Sequence, residues 1–159
     1  MFHFLKKNFE LTAPIDGKII DLSQVPDQIF SGKMAGDGVA IDTTGDIVLA
    51  PADGTVILIL KTDHAFGMVL KNGTEILVHV GVDTVELNGE GLERLVEEGT
   101  CVKVGDPIIK LDRKFIEEKG YSLITSIIIT NSEIIKDIKY NEGKMVKAGK
   151  NQLIMYKLK

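Results

Sequence analysis

Short aliphatic runs at 47–49, 55–60, 67–70, 75–81, 107–111, 122–130 and 152–158 alternate with turns marked by Gly, Asp, Asn and Pro. Runs of that length are strand-sized. Their spacing predicts an all-β fold, an antiparallel β-sandwich or flattened barrel. Helix is expected only in short segments. One is residues 92–98, bracketed by Gly91 and Gly99; the other is residues 113–119, which follow a cap at Asp112 and stop at Gly120.

Two patterns recur. Ala13-Pro14-Ile15-Asp16-Gly17 returns as Ala50-Pro51-Ala52-Asp53-Gly54, each a tight turn ahead of an aliphatic strand. Glu98-Gly99 with Val102-Lys103 and Gly105 returns as Glu142-Gly143 with Val146-Lys147 and Gly149. Two imperfect copies make hairpin-type units within one domain, not a solenoid. No linker-like stretch interrupts the chain. The expected organisation is an N-terminal extension over residues 1–10 and a single domain over 11–159.

Composition narrows the class. The 159 residues are 44% hydrophobic without tryptophan, so aliphatic side chains must build the core. A net charge of −4, with both signs well mixed, argues against a nucleic-acid partner. Cys101 is the only cysteine, which excludes an internal disulfide and a thiolate cluster. The lysines at 6 and 7 follow the apolar start instead of preceding it, unlike a secretory signal, and runs such as 56–60 are too short to span a bilayer. A cytoplasmic protein is expected. Phe2, Leu5 and Phe9 could share one helical face toward a membrane surface, a pattern that equally suits packing onto the domain.

The candidate chemistry lies in two histidines; His3 is set aside in the terminus. His79 stands in a strand-like run, Ile76-Leu77-Val78-His79-Val80-Gly81, and His64 follows the strand ending at Leu60. Alternation puts Leu77, His79 and Gly81 on one face and Ile76, Val78 and Val80 on the other. Adjacent strands would bring His64 to His79, with Thr62 and Asp83 close in sequence. Neutral imidazole can serve as nucleophile, acid–base group or metal ligand. The residues alone leave open a β-rich zinc hydrolase using His64, His79 and Asp83, or a non-catalytic β binding module. Two histidines without thiolates make an incomplete zinc site, so no obligatory metal is expected; zinc at His64 and His79 would need a ligand from a partner.

Thr62-Asp63-His64-Ala65-Phe66, the run from Val78 through Leu87, and Gly89-Glu90-Gly91 together resemble the glucose-type enzyme IIA of the bacterial phosphoenolpyruvate-dependent sugar phosphotransferase system. Ala13-Pro14 with Gly17, Val25-Pro26-Asp27, Gly36-Asp37-Gly38 and Val102 to Asp106 follow the family's order, so the resemblance runs from about Leu11 onward. It implies a phosphocarrier. His79 would take a phosphoryl group on Nε2 from the carrier HPr and pass it to a cysteine on the IIB domain of a sugar permease. His64 would hydrogen-bond the phosphate, and Thr62 would orient His64. The resemblance further implies a docking ring of Ile29, Phe30, Met34, Leu60, Phe66 and Leu77, an acidic pair at Asp27 and Asp83, and regulatory protein targets. Two positions depart from the ring: Gln28 replaces an apolar residue and Ala35 a larger one. The polar N-terminal tail of some members is nearly absent.

Overall fold

A computed structural model describes residues 7–159; Phe2, His3 and Leu5 lie outside the described residues. The chain is an antiparallel β-sandwich with a few short helical turns. Its strands are β1 (Asn8–Thr12), β2 (Gly17–Ile20), β3 (Asp37–Thr43), β4 (Ile47–Leu49), β5 (Gly54–Ile59), β6 (Ala65–Leu70) and β7 (Glu75–His79). Then come β8 (Leu92–Arg94), β9 (Cys101–Val102), β10 (Pro107–Leu111), β11 (Thr125–Ile129), β12 (Ile135–Lys139), β13 (Met145–Val146) and β14 (Gln152–Leu158). The helices are α1 (Gln28–Ser31) and α2 (Arg113–Glu118).

Eight strands form one large sheet in the order β13-β2-β3-β11-β7-β6-β5-β9. Two three-stranded sheets, β4-β10-β8 and β1-β14-β12, complete the sandwich. The strand period of two explains the layers. On β11, Ile127 and Ile129 enter the main core with Val39, Ile41, Phe66, Met68, Ile76 and Val78, packed against Val48, Ile109, Ile154 and Tyr156. Ile128 points the other way, into a second cluster with Ile20, Leu22, Val25, Phe30, Ala40 and Val82. Each fully buried aliphatic side chain contributes about 1.5–3 kcal/mol, so β11, apolar on both faces, anchors the sheet. The second cluster covers the outer face beside His79 and is the floor on which the site is built.

The two sequence repeats occupy equivalent places. Met145 and Val146 of β13 pair with Lys18 and Gly17, as Cys101 and Val102 of β9 pair with Thr55 and Gly54. Asp16 Oδ1 accepts from Ala148 N at 2.7 Å, and Asp53 Oδ1 accepts from Val104 N at 2.8 Å. The shared Asp-Gly is therefore both a turn and a clasp onto a remote turn.

Three expectations meet a different structure. Residues 92–98 are not helical. Leu92 is buried opposite Leu111, Arg94 pairs with Ile109, and Leu95 N donates to Ile108 O at 2.8 Å. Pairing with β10 and burial of Leu92 outweigh a weak local helix preference. The boundary expected after residue 10 falls inside β1, which starts at Asn8, pairs with β14 and places Phe9 against Tyr156. The run expected over 122–130 becomes strand only at Thr125. The helix after Asp112 forms as its cap suggests, with Asp112 Oδ1 accepting from Phe115 N. Among the described residues no helix is long and apolar enough to cross a membrane.

Candidate functional site

His79 ends β7, flanked in register by Ala65 of β6 and Ser126 of β11. Its side chain lies on the outer face with Leu77, as alternation requires, while Ile76, Val78 and Val80 are buried in the main core. The chain then turns at Gly81, whose φ is +76°. A Cβ there would stand 2.5 Å from Thr84 Cγ2 and 2.8 Å from Ser122 O. Only glycine fits both the conformation and the space. The turn folds the Gly81 carbonyl back to accept from His79 Nδ1 at 3.0 Å. A carbonyl cannot donate, so the neutral ring carries its proton on Nδ1 and exposes a lone pair on Nε2.

His64 is delivered by the β5–β6 hairpin. Leu60 N donates to Ala65 O, and Val80 N donates to His64 O at 2.7 Å, which brings the turn beside the end of β7. The two rings meet edge to face with centroids 5.1 Å apart. His64 is buried, 4% exposed, and its Nδ1 lies 2.5 Å from Thr62 Oγ1. Phe30 also packs on His79, with ring centroids 4.8 Å apart. Its helix, α1, is a single turn capped by Asp27, whose carboxylate accepts from Ile29 N.

Both imidazoles are held neutral. Burial, then the neighbouring His79, lowers the His64 pKa to about 4, against a raising influence from Asp63. Burial also lowers the His79 pKa, opposed by the hydrogen bond to Gly81 and by the charges of Asp27 and Asp83. Those two carboxylates thus bear electrostatically on His79.

The surrounding apolar residues divide. Ile29 and Met34 are 53% and 77% exposed, and Leu60 and Leu77 are half-buried. Phe30 is buried in the second cluster and reaches the site through its ring contact with His79. Phe66 does not belong to the ring. It pairs with Val78, points inward and is fully buried in the main core, because it sits one residue out of phase with Ala65 and Gly67. The three-ligand zinc site is also not assembled. Asp83 is exposed at the left-handed start of a 3-10 turn, and no group of three His, Cys, Asp or Glu among the described residues could share a metal ion. Two nitrogen donors remain, short of the four ligands of a structural zinc site.

Arg94 was not legible as part of this region. A helix would have turned it elsewhere, but as a strand residue it donates from Nε to Asp63 Oδ1 at 2.6 Å, within the hairpin that carries Thr62 and His64. The carbonyl of Gly81 leaves no mark in the sequence, where the glycine reads only as a bare spot beside the ring.

Residues 9–135 match the family described as the phosphoenolpyruvate-dependent sugar phosphotransferase system, EIIA 1. A glucose-specific EIIA component of Bacillus cereus is 44% identical over 149 residues, 94% of this chain and 90% of that protein. An N-acetylglucosamine-specific EIICBA component of Klebsiella pneumoniae is 49% identical over 123 residues, 77% of this chain but 19% of that longer protein. The solved glucose permease IIA of Mycoplasma capricolum superimposes with a TM-score of 0.88 at 37% identity, covering 98% of this chain and 99% of that one.

Proposed function

Since this chain belongs to the EIIA 1 family of the phosphoenolpyruvate-dependent sugar phosphotransferase system, we propose that it is a cytoplasmic phosphocarrier working through a phosphohistidine at His79. The observation that carries this reading is the bond from His79 Nδ1 to Gly81 O, which leaves Nε2 of a neutral ring as a nucleophile on the exposed face. In the first step Nε2 attacks the phosphorus of the phosphohistidine on HPr. The new N–P bond forms as the old one breaks, and the electron pair returns to the HPr imidazole. In the second step a thiolate on a IIB domain attacks the same phosphorus, an S–P bond forms, and His79 recovers its lone pair. Electrons balance in both steps without a cofactor.

His64 supplies charge stabilisation. With the Thr62 hydroxyl donating to Nδ1, the His64 proton sits on Nε2 and faces the phosphate oxygens. Phosphoryl transfer depends chiefly on in-line positioning and on groups that meet the developing charge. Asp27 and Asp83 oppose the added negative charge and favour handing the group on. Ile29, Met34, Leu60 and Leu77 form the apolar apron on which HPr and then IIB dock, and the exposed methionine suits two partners in turn. Relatives of comparable identity are named for glucose and for N-acetylglucosamine, so we assign the choice of sugar to the permease.

The test is incubation with phosphoenolpyruvate, enzyme I and HPr. The chain should gain one acid-labile phosphoryl group and lose it when a glucose-type IIB domain is added. A wild-type chain that takes no label overturns the proposal.

A further inference from the structure

The outer edge of β5 carries a second feature of the site. β9 pairs with β5 only at Gly54 and Thr55, and the segment after β8 adds two more bonds, Gly99 N to Val56 O and Val56 N to Thr100 O. Beyond Val56 side chains take the place of the partner strand. Glu98 Oε1 accepts from Ile59 N at 3.1 Å, and Arg94 Nη2 donates to Leu60 O at 3.2 Å. The same guanidinium donates from Nε to Asp63 Oδ1 at 2.6 Å. Arg94 therefore grips both ends of the 60–64 turn, whose own closure is the bond from Asp63 N to Leu60 O at 2.8 Å. Asp63 holds a left-handed backbone, φ +58°, a conformation a non-glycine residue keeps only when its surroundings demand it.

The grip is anchored elsewhere in the sandwich. Arg94 belongs to β8, held in the β4-β10-β8 sheet, whereas the turn belongs to the large sheet. The other two ion pairs among the described residues, Lys33–Asp37 and Arg113–Glu117, join residues four apart and fix only local chain. The Arg94–Asp63 pair alone among them joins the two sheets, with its side chains only 28% and 20% exposed. The turn it clamps carries Thr62 and His64.

Resting on the phosphocarrier reading, we infer that Arg94 and Asp63 form a positioning latch for His64. Arg94 holds the turn so that the His64 ring stays edge-on to His79 when the phosphoryl group moves. A planar fork suits this task, since one group engages a carboxylate and a carbonyl together; a lysine supplies the charge without the fork.

The test uses the full chain with phosphoenolpyruvate, enzyme I, HPr and a glucose-type IIB domain. Arg94→Met should still take label on His79 but transfer it to IIB about 10-fold more slowly, because a small misplacement of a transition-state partner is costly. Arg94→Lys should fall between it and wild type. The 15N shifts of the His64 ring should move toward mixed tautomers in Arg94→Met. In a His64→Gln background Arg94→Met should add little, because both substitutions remove one effect. Asp63→Asn, nearly isosteric, gives the same readouts if Arg94→Met proves too unstable to assay. Unchanged transfer and His64 shifts in Arg94→Met, or equal slowing with and without His64, overturns the latch. Absence of label on wild type instead overturns the phosphocarrier reading.

Discussion

His64 and His79 differ in what their Nδ1 atoms touch, a hydroxyl in one case and a carbonyl in the other. That difference assigns their labour and their phenotypes. His79→Ala should abolish acceptance of label from phosphorylated HPr. His64→Gln should still be labelled, with slowed transfer to IIB, because it loses only a stabilising donor; Thr62→Val should show a milder form. Acid-labile label in His79→Ala but none in His64→Gln would reverse the assignment. Acidity gives a second check. The folded pKa of His64 is about 4, against 6.5 for the free side chain, so the unfolded state binds more protons between those values. Stability is therefore full above pH 6.5 and falls as pH drops from 6.5 toward 4. Urea midpoints should follow that slope in wild type and flatten in His64→Gln. Labelling should persist somewhat below pH 6.5, since burial also lowers the His79 pKa, and fail once Nε2 is protonated. Gly81→Ala should cost about 2–4 kcal/mol in chemical denaturation, from a strained positive φ and a Cβ with no room. At this scale His79 was legible because a chemistry-bearing residue stands out in an aliphatic strand, and His64 because it follows one; the role of Thr62 came only with the family resemblance. The Gly81 carbonyl was not legible, because backbone acceptors leave no mark in a residue code.

Elements were legible where one face of a strand is buried. The alternation around His79 placed Leu77 and His79 on one face and Val78 on the other, and in β7 the first face is the outer one. It failed where segments were short or phase was lost. Residues 92–98 carry charges that suit a surface helix, and only the remote partner Leu111 makes Leu92 a strand residue. Phe66 lies near His64 in sequence but one step out of phase with the outer face, which sends its ring into the core. The repeated Asp-Gly turns were legible, but the clasps they make were not, because Ala148 lies 132 residues from Asp16. Those clasps should differ in strength. Asp16→Ala removes a part-buried acceptor and should cost about 1–2 kcal/mol, whereas Asp53→Ala, at an exposed bond, should cost about 0.5–1 kcal/mol. Urea titration of both variants checks the order; an equal or reversed order would mean that burial does not set the cost.

For the whole molecule the fold class followed from strand-sized runs and the shortage of helix-length periodicity, while the division into three sheets depends on pairings distant in sequence. The clasps are nested: Asp53 with Val104 closes a loop of 51 residues, inside the loop of 132 closed by Asp16 and Ala148. The longer closure costs only about 0.8 kcal/mol more in chain entropy, a minor difference at equilibrium. During synthesis the nesting weighs more. The inner clasp can close once the turn after β9 has left the ribosome, but β1 has no partner strand until β14 emerges. At about 5–20 residues per second that delay is on the order of ten seconds. Through it Leu11, fully buried in the finished protein, stays open to water and to other nascent chains. A polypeptide released before residue 152 would leave β1 without its partner strand.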